Sequence, residues 1–365
     1  MKIAYLIQMA DLTTENGITK KIRSQTSQWI GHGHQVRCFA LRPTSALWSG
    51  LDHLDWVIQP YGNMFLRSRR SRTLCTSIQN WQPDVIYFRF GYSNPGLAAV
   101  LRKFPTIAEF NSQDLDEYPL TLPTAKLLYH RLTRGRLLRS CAAGIAVTRE
   151  IADYYAKDRV PCITLGNAID LTTSPSLAAE DTASTSVLFI GSRGAPWHGL
   201  DRLAEIARLF PQVIFEVIGY DTNDWRCTAG IPVPQNCHLH GYLTTAQYTP
   251  LLAGASVAIG SLALFRNRMD EACPLKVREY LALGLPVIGA YRDTDIPDDA
   301  DYFLRLPNNA ESLAPWRDRI AAFLESWRGR RVPRATIAHL DVSVKEAQRL
   351  AFMERIVSEF RPHHD

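Results

Sequence analysis

The chain of 365 residues lacks long apolar runs, regularly spaced cysteines and metal-ligand motifs. No run approaches the roughly 18 apolar residues of a membrane-spanning helix, since the longest candidate is SVAIGSLALF at 256–265. Seven scattered cysteines favour buried thiols in a reducing compartment over a disulfide framework or a zinc site. The chain starts with the strand-like KIAYLIQ and shows no leader pattern, so we expect no signal peptide and a cytoplasmic location.

Two further absences narrow the function. No Gly-x-Gly-x-x-Gly follows the first predicted strand, which disfavours a nicotinamide-dependent dehydrogenase. The basic stretches carry no interleaved stacking aromatics, so we expect no nucleic-acid partner. Asp-x-Asp pairs occur at Asp114/Asp116 and Asp293/Asp295. They lie in polar segments where short acidic pairs are common, and we interpret them as loop acids rather than metal ligands.

Charge is divided unevenly along the chain, whose total is +5. Residues 1–171 carry 21 Lys and Arg against 13 Asp and Glu, a net of +8, and the remainder carries 20 against 23, a net of −3. Basic residues concentrate in RSRRSR (67–72) and in KLLYHRLTRGRLLR (126–139). The second run fits either a solvated helix face or a helix lying on an anionic membrane. A peripheral position on the inner face of the cytoplasmic membrane therefore stays open.

Apolar runs and amphipathic stretches alternate in both halves, which is typical of strand–helix–strand units around a parallel sheet. Strands are predicted at 2–8, 35–41, 84–90, 105–110, 144–148, 162–166, 187–191, 213–219, 237–241, 256–260 and 286–290. The polar segment 171–186 predicts a linker. We expect an α/β protein with Rossmann-like, doubly wound domains at 1–170 and 187–340 that face a cleft, followed by an amphipathic helix within 341–365.

The densest candidate site is MDEACPLKVREYLALGLPVIGA (269–290). Pro274 suits the start of a helix, so Glu271 should precede the helix and Glu279 should lie within it. Ligands of parallel sheets bind beyond the carboxyl ends of the strands, where a helix N-terminus can hold a diphosphate. Lys276 would add a positive charge there. A carboxylate such as Glu279 can accept hydrogen bonds from the two hydroxyls of a ribose.

This segment resembles the signature of the retaining GT-B glycosyltransferases of family 4. The matching features are two Glu separated by seven residues, Pro three residues after the first Glu, and the run Glu-Tyr-Leu-Ala-Leu-Gly-Leu-Pro-Val-Ile. The resemblance implies that Glu271 contacts the hydroxyls of the donor sugar and that Glu279 binds the ribose. It also places Pro274 and Leu275, at the helix start, among the donor-binding residues.

A second segment, SRGAPWHGLDRLAEIARLF (192–210), is similar to the same family, which often has Arg and Lys five residues apart here to bind the donor phosphates. Arg193 takes the first place, and His198 stands where Lys is usual. A guanidinium suits phosphate oxygens, and the pKa of a histidine rises beside phosphates. Tyr242 and its loop are expected to flank the base of the donor.

The first half of the chain matches the family more loosely. The resemblance assigns Gly17, at the mouth of the first helix, to the loop that approaches the diphosphate. It assigns Asn111 to the place where many members have a His that faces the donor sugar. Arg89, Thr148 and Asn167 also end predicted strands, although capping and turn duties explain them equally well.

The resemblance spans nearly the whole chain and implies a GT-B fold whose last helix crosses back onto the first domain. It also implies a retaining hexosyltransferase of polysaccharide biosynthesis that uses a nucleotide-sugar donor and a glycan or lipid-linked acceptor, with no metal or other cofactor. A nucleotide-sugar epimerase on the same fold is one alternative. A non-catalytic scaffold that binds sugar nucleotides is another, favoured by His198 and by an altered loop after residue 290.

Overall fold

The structure is a computed structural model that describes residues 1–8, 11–174 and 186–361. It divides into two compact units, one combining Met1–Gly166 with Val342–Asp365 and the other formed by Asn167–Asp341. The predicted linker, 171–186, lies largely outside the described residues, and its limits stay a prediction. None of the helices in the described ranges has the length and apolar character needed to cross a bilayer.

A seven-stranded parallel sheet runs through the described part of the first unit. Its strands are β1 (Lys2–Ile7), β2 (Gln35–Arg42), β3 (Asp55–Pro60), β4 (Val85–Arg89), β5 (Thr106–Phe110), β6 (Ala143–Ala146) and β7 (Cys162–Thr164), in the order β3-β2-β1-β4-β5-β6-β7. The helices are α1 (Gly17–Gly31), α2 (Met64–Trp81), α3 (Leu97–Lys103), α4 (Asp114–Thr121), α5 (Thr124–Leu138) and α6 (Arg149–Ala156), with a 3₁₀ turn at Ser49–Leu51. Central strand β1 is buried from Ile3 to Ile7, as a strand covered on both faces requires.

The second unit has a six-stranded parallel sheet over the residues that are described. The strands are β8 (Ser186–Ile190), β9 (Ile214–Ile218), β10 (Cys237–Leu239), β11 (Val257–Ile259), β12 (Glu271–Ala272), β13 (Val287–Gly289), β14 (Arg292–Asp293) and β15 (Phe303–Arg305), with main-sheet order β10-β9-β8-β11-β13-β15 and a separate β12-β14 pair. The helices are α7 (Leu200–Leu209), α8 (Thr222–Ala229), α9 (Thr245–Gly254), α10 (Leu275–Ala282) and α11 (Arg317–Ser326). 3₁₀ turns lie at Pro196–His198, Leu264–Asn267, Ala314–Trp316 and Arg334–Leu340.

The last helix, α12 (Val342–Glu359), belongs to the first unit although 175 residues of the second unit precede it. Met353 joins the buried core around β1 and β4. The indole N–H of Trp29 on α1 donates to Glu346 at 2.8 Å, and Arg349 donates to the Tyr87 hydroxyl at 2.7 Å. Because these polar groups are buried and bonded, α12 is an integral layer of this unit.

The expected pair of doubly wound α/β sheets is confirmed, and the strand order reverses once in each. The chain runs from β8 to β9 and β10 on one side and then crosses to β11 on the other side of β8. Two strands of the main sheets, β3 and β15, were not anticipated, and neither was the short β12-β14 pair. Strand β3 is an edge strand of half-buried and exposed residues ending at Pro60, and β15 has only three residues, so neither carries a strong apolar signal.

Candidate functional site

The carboxyl ends of β8 and β11 meet at the switch point of the second sheet, the usual ligand position in such folds. The backbone there is packed closely. Gly199 has φ +74°, and a Cβ on it would lie 3.0 Å from that of Leu262, so only glycine lets the turn Pro196–His198 approach the loop after β11. The N–H of Leu262 donates to the carbonyl of His198 at 3.2 Å, which fixes this approach.

Helix α10 begins at this edge, as the motif predicted. Pro274 is its N-cap residue, and no side chain caps the helix. The backbone N–H groups of Leu275 and Lys276 therefore start α10 without a side-chain acceptor, which suits an anionic ligand. Glu271 lies before the helix in the short strand β12, where it pairs with Arg292 of β14. Its carboxylate is 4.0 Å from the Arg292 guanidinium.

Glu279 lies one turn into α10, and the Tyr248 hydroxyl on α9 donates to its carboxylate at 3.1 Å. This contact orients the carboxylate while leaving further acceptor capacity for a ligand. Sequence reasoning missed Tyr248, because nothing in the α9 segment connects it to a residue 31 positions later. Tyr242, which we expected beside the base, is 67% exposed in the loop after β10.

His198 and Lys276 lie together at the end of β8. The Lys276 ammonium donates to the carbonyl of Ile190 at 2.8 Å and lies 4.5 Å from the centre of the Phe189 ring. Burial lowers the pKa of Lys276 to about 7. Burial and the neighbouring Lys276 lower the pKa of His198 well below its usual range. Both basic groups therefore reach the switch point with their charged forms disfavoured.

Arg193, the other predicted phosphate ligand, turns toward α8. Its Nε lies 2.6 Å from Asp224, and an Nη lies 3.6 Å from Asp221, the N-cap residue of α8. The side chain is 70% exposed, so the ion pair is screened and exchangeable. In this structure Arg193 is therefore engaged by α8.

The Asp293/Asp295 pair surrounds a buried guanidinium. Arg278 donates to both oxygens of Asp293 at 2.7 and 3.0 Å and to Asp295 at 3.1 Å. Cys273 completes a group of three possible metal ligands whose atoms lie within 4.8 Å of one another. Arg278 also donates to the Cys273 sulfur at 2.7 Å and to the Asn167 carbonyl at 2.9 Å. A positive charge therefore already neutralises the pair that most resembled a cation site.

In the first unit, Gly17 is the first residue of α1, as expected, but the end of the helix is already capped. The Asn16 side chain accepts from the N–H groups of Ile18 at 2.9 Å and Thr19 at 3.1 Å, completing a capping box with Thr19. Two of the N–H groups that a diphosphate would use are thus bonded within the chain. A diphosphate-binding role for Gly17 stays a prediction, and fewer backbone N–H groups are open to a ligand there than the sequence implied.

Asn111 joins a buried cluster centred on Glu109 at the carboxyl ends of β4 and β5. Lys21 lies 2.8 Å and Arg89 3.2 Å from the Glu109 carboxylate, and Asn111 donates to it at 3.3 Å. Burial alone would raise the pKa of Glu109, but Lys21 and Arg89 hold it well below its usual range. Sequence reasoning missed Lys21, although its place one turn after Gly17 was a usable signal.

Two other strand-end residues have structural duties. The Thr148 hydroxyl accepts from the N–H of Ile151 at 3.1 Å and caps α6. Asn167 donates its side-chain amide to the Cys273 carbonyl at 2.6 Å, and its backbone N–H donates to the Cys273 sulfur at 2.9 Å. Both residues are buried, in line with the capping and turn interpretation.

The basic run 126–139 forms α5, and its cations separate into two sets. Arg134 is buried and pairs with Asp114 at 2.9 Å and with Asp158 at 2.8 Å, while His130 donates to Asp114 at 2.5 Å. Arg134 is therefore a core residue and cannot contribute to a surface patch. The exposed set is Lys126, Arg131, Arg136 and Arg139.

Comparison with known proteins adds the decisive observation for the enzyme class. Residues 16–163 match the glycosyl transferase 4-like domain. The match lies within the first unit and covers less than half of the chain. It confirms the predicted enzyme class, a glycosyltransferase. No curated protein sequence matches the chain.

Solved structures with the same fold cover almost the whole chain. Anabaena HepE in complex with UDP-glucose superposes with a TM-score of 0.69 at 14% identity, covering 97% of this chain and 100% of its own. WaaG, a glycosyltransferase involved in lipopolysaccharide biosynthesis, gives 0.65 at 13% identity, with 96% and 99% covered. A Listeria monocytogenes protein provisionally assigned as a UDP-N-acetylglucosamine 2-epimerase gives a TM-score of 0.59 at 11% identity, covering 100% of this chain and 98% of its own. At these identities the likeness establishes the GT-B fold.

Proposed function

We propose that this protein is a retaining, metal-independent glycosyltransferase that moves a sugar from a nucleotide-sugar donor to a glycan or lipid-linked acceptor. The observation that carries the proposal is that four predicted residues lie in the segments that follow the two switch-point strands: His198 after β8, and Glu271, Lys276 and Glu279 after β11. The glycosyl transferase 4-like match and the UDP-glucose complex of a structural neighbour support it.

The chemistry assigns a role to each side chain. Glycosyl transfer develops positive charge on the sugar ring and negative charge on the departing diphosphate. N–H donors held in place before the reaction stabilise that leaving charge. We assign Lys276, His198 and the first N–H groups of α10 to the diphosphate, with Arg193 joining once it releases Asp224. Glu271 is assigned to the hydroxyls of the sugar and Glu279 to the ribose.

Metal independence is proposed because the group of possible metal ligands found among the described residues, Cys273, Asp293 and Asp295, already binds Arg278. Its guanidinium bonds both carboxylates of the Asp293/Asp295 pair, and an incoming divalent ion would have to displace a buried cation. In the alternative glycosyltransferase chemistry, an Asp-x-Asp pair needs free carboxylates to hold the metal. The charge on the leaving group is instead assigned to the N–H donors of the site.

Thermal denaturation with a panel of nucleoside diphosphates and nucleotide-sugars, each with EDTA and with magnesium, tests the proposal. A ligand at about 100 times its Kd adds roughly 2.7 kcal/mol, which raises Tm by several degrees. We expect a rise with one nucleotide family that EDTA does not change and that Glu279→Ala abolishes. Glu325→Ala, an exposed change on α11, should keep it. A rise that needs magnesium, or one that survives Glu279→Ala, would contradict the proposal.

An epimerase is the second candidate, favoured by the fold shared with the Listeria protein. An epimerase would convert a nucleotide-sugar without any acceptor. Incubating the protein with the donor identified by denaturation, and following the sugar proton signals by NMR, separates the two functions. A new epimer formed without acceptor supports the epimerase, whereas a transferase leaves the sugar configuration of the intact donor unchanged.

We further propose that α5 binds an anionic membrane, where a lipid-linked acceptor would reside. Leu128 and Leu132 are 58% and 77% exposed, and the exposed Arg131 and Arg136 share the helix. Apolar side chains flanked by cations suit the interface of an anionic bilayer. The Tyr129 hydroxyl donates to the Ser93 carbonyl at 3.0 Å and ties this face to the loop after β4.

Vesicle co-sedimentation tests the membrane surface. The protein should bind vesicles containing phosphatidylglycerol at low salt and release at high salt, because exposed charges are screened. Leu132→Gln and Arg131→Glu should each weaken binding, whereas Arg317→Glu, an exposed change in the other unit, should not. Equal binding by all variants, or binding that ignores lipid charge, refutes this assignment.

A further inference from the structure

Lys276 reaches the end of β8 without a counter-charge. Its ammonium contacts the Ile190 carbonyl at 2.8 Å and the face of the Phe189 ring at 4.5 Å. Within the described ranges, no carboxylate lies within 4 Å of Nζ. One carbonyl and one ring offset only part of the loss of hydration, so the neutral amine competes with the ammonium near pH 7.

His198 is held as a neutral imidazole by its hydrogen bonds. The N–H of Ser192 donates to Nδ1 at 3.2 Å, so Nδ1 must present a lone pair and the ring proton lies on Nε2. The Tyr220 hydroxyl, 3.3 Å from Nδ1, gives its own proton to the Ser192 carbonyl at 2.6 Å. Protonating Nδ1 would break the bond from Ser192. His198 can therefore offer a ligand an N–H group but not a full charge.

The other titratable groups around the pair do not supply the missing charge. On α10, Glu279 accepts from Tyr248, and the Tyr280 hydroxyl accepts from the N–H of Ile190. After β8, Arg193 is bound by Asp224 of α8. Among the described residues, the charge that acts on His198 from another element is that of Lys276, and it disfavours protonation of the imidazole.

We propose that a donor diphosphate binds this pair with uptake of one proton from solvent, and that Lys276 receives it. The inference rests on the proposed function, since the diphosphate supplies the negative charge that stabilises the ammonium form. The Nζ lone pair accepts the proton and becomes –NH₃⁺, while His198 remains neutral and donates through Nε2. Affinity should be full below pH 7 and fall roughly tenfold for each pH unit above it, because the amine must then be protonated before it can bind.

Isothermal titration calorimetry in buffers of different ionisation enthalpy counts the protons directly. The probes are UDP-glucose, GDP-mannose and ADP-glucose, whose substituted diphosphates do not titrate near neutral pH. For the probe that binds, the wild-type protein should take up about 0.9 proton at pH 8 and about 0.1 at pH 6. No uptake at pH 8 overturns the inference while leaving a nucleotide-sugar site in place. If no probe binds, the proposed function falls and the inference falls with it.

Two variants locate the proton. Lys276→Arg keeps a permanent charge, so it should bind the same probe with no uptake and with an affinity that is flat from pH 7 to 9. His198→Gln retains a neutral N–H donor and should still take up about 0.9 proton at pH 8. Uptake that persists in Lys276→Arg, or disappears in His198→Gln, would assign the proton to another group and overturn the inference.

Discussion

Removing the buried guanidinium of Arg278 tests how the second unit holds its acidic pair. Arg278 and Asp293 both have fully buried side chains, and Arg278 makes five hydrogen bonds to Asp293, Asp295, Asn167 and Cys273. Arg278→Met keeps the aliphatic volume and deletes the charge. Breaking a buried pair from one side costs about 3–5 kcal/mol, because the remaining carboxylate is left buried without a counter-charge.

That cost is large enough to measure by calorimetry or by urea denaturation. For a unit of about 175 residues, 1 kcal/mol shifts Tm by roughly 2–4 °C, so Arg278→Met should lower the transition of this unit by roughly 6–20 °C. Adding Asp293→Asn to Arg278→Met should recover part of the loss, since an amide costs less to bury than a carboxylate.

The matched control is Arg305→Met, which removes a cation from a pair with Asp298 that is about half exposed in the same unit. Exposed pairs contribute about 0–1 kcal/mol, so this change should barely move the transition. The electrostatic account of the cluster is wrong if Arg278→Met lowers the free energy of unfolding no more than Arg305→Met does. It is also wrong if the double variant Arg278→Met/Asp293→Asn is less stable than Arg278→Met alone.

Three further changes test other parts of the fold. Gly219→Ala should cost about 1–3 kcal/mol or more in urea denaturation, because φ is +94° and a Cβ would collide with the Gly191 carbonyl, whereas Gly230→Ala, with φ +66° and open space, should cost only about 1 kcal/mol. Arg134→Met should destabilise the first unit by about 3–5 kcal/mol, and a loss below 1 kcal/mol would contradict its burial against Asp114. Between pH 7 and 10, Lys276 is protonated in the unfolded chain and mostly neutral in the folded one. The free energy of unfolding should therefore rise with pH by up to about 1.4 kcal/mol per unit. The urea midpoint, measured at pH 7, 8 and 9, should show this rise in the wild-type protein and not in Lys276→Met.

The sequence predicted those features whose signal is local. Alternating apolar runs located most of the strands, and a spacing motif located Glu271 and Glu279 around a helix that begins one residue from the expected place. These predictions succeed because a strand, a helix start and a short motif are each written in a dozen consecutive residues. The roles of these residues in catalysis stay predictions until they are measured.

The partners of the candidate residues could not be predicted in the same way. Tyr248 meets Glu279 because helices α9 and α10 bring them together, and Asp224 of α8 meets Arg193 in the loop after β8, so each contact joins separate parts of the chain. The basic run of α5 shows the same limit, since helical spacing did not distinguish buried Arg134 from exposed Arg131. Which face of a helix is covered depends on neighbouring elements whose placement is not encoded within that helix.

The C-terminal helix has a consequence for the order in which the protein folds as it leaves the ribosome. The second unit is one continuous stretch, Asn167–Asp341, and is complete before α12 has been synthesised. The first unit begins the chain, yet its core waits for Met353, and Trp29 has no acceptor until Glu346 emerges. N-terminal domains usually fold first during synthesis. Here the later-made unit can close first, and the nascent N-terminal sheet must remain unaggregated until α12 has been synthesised.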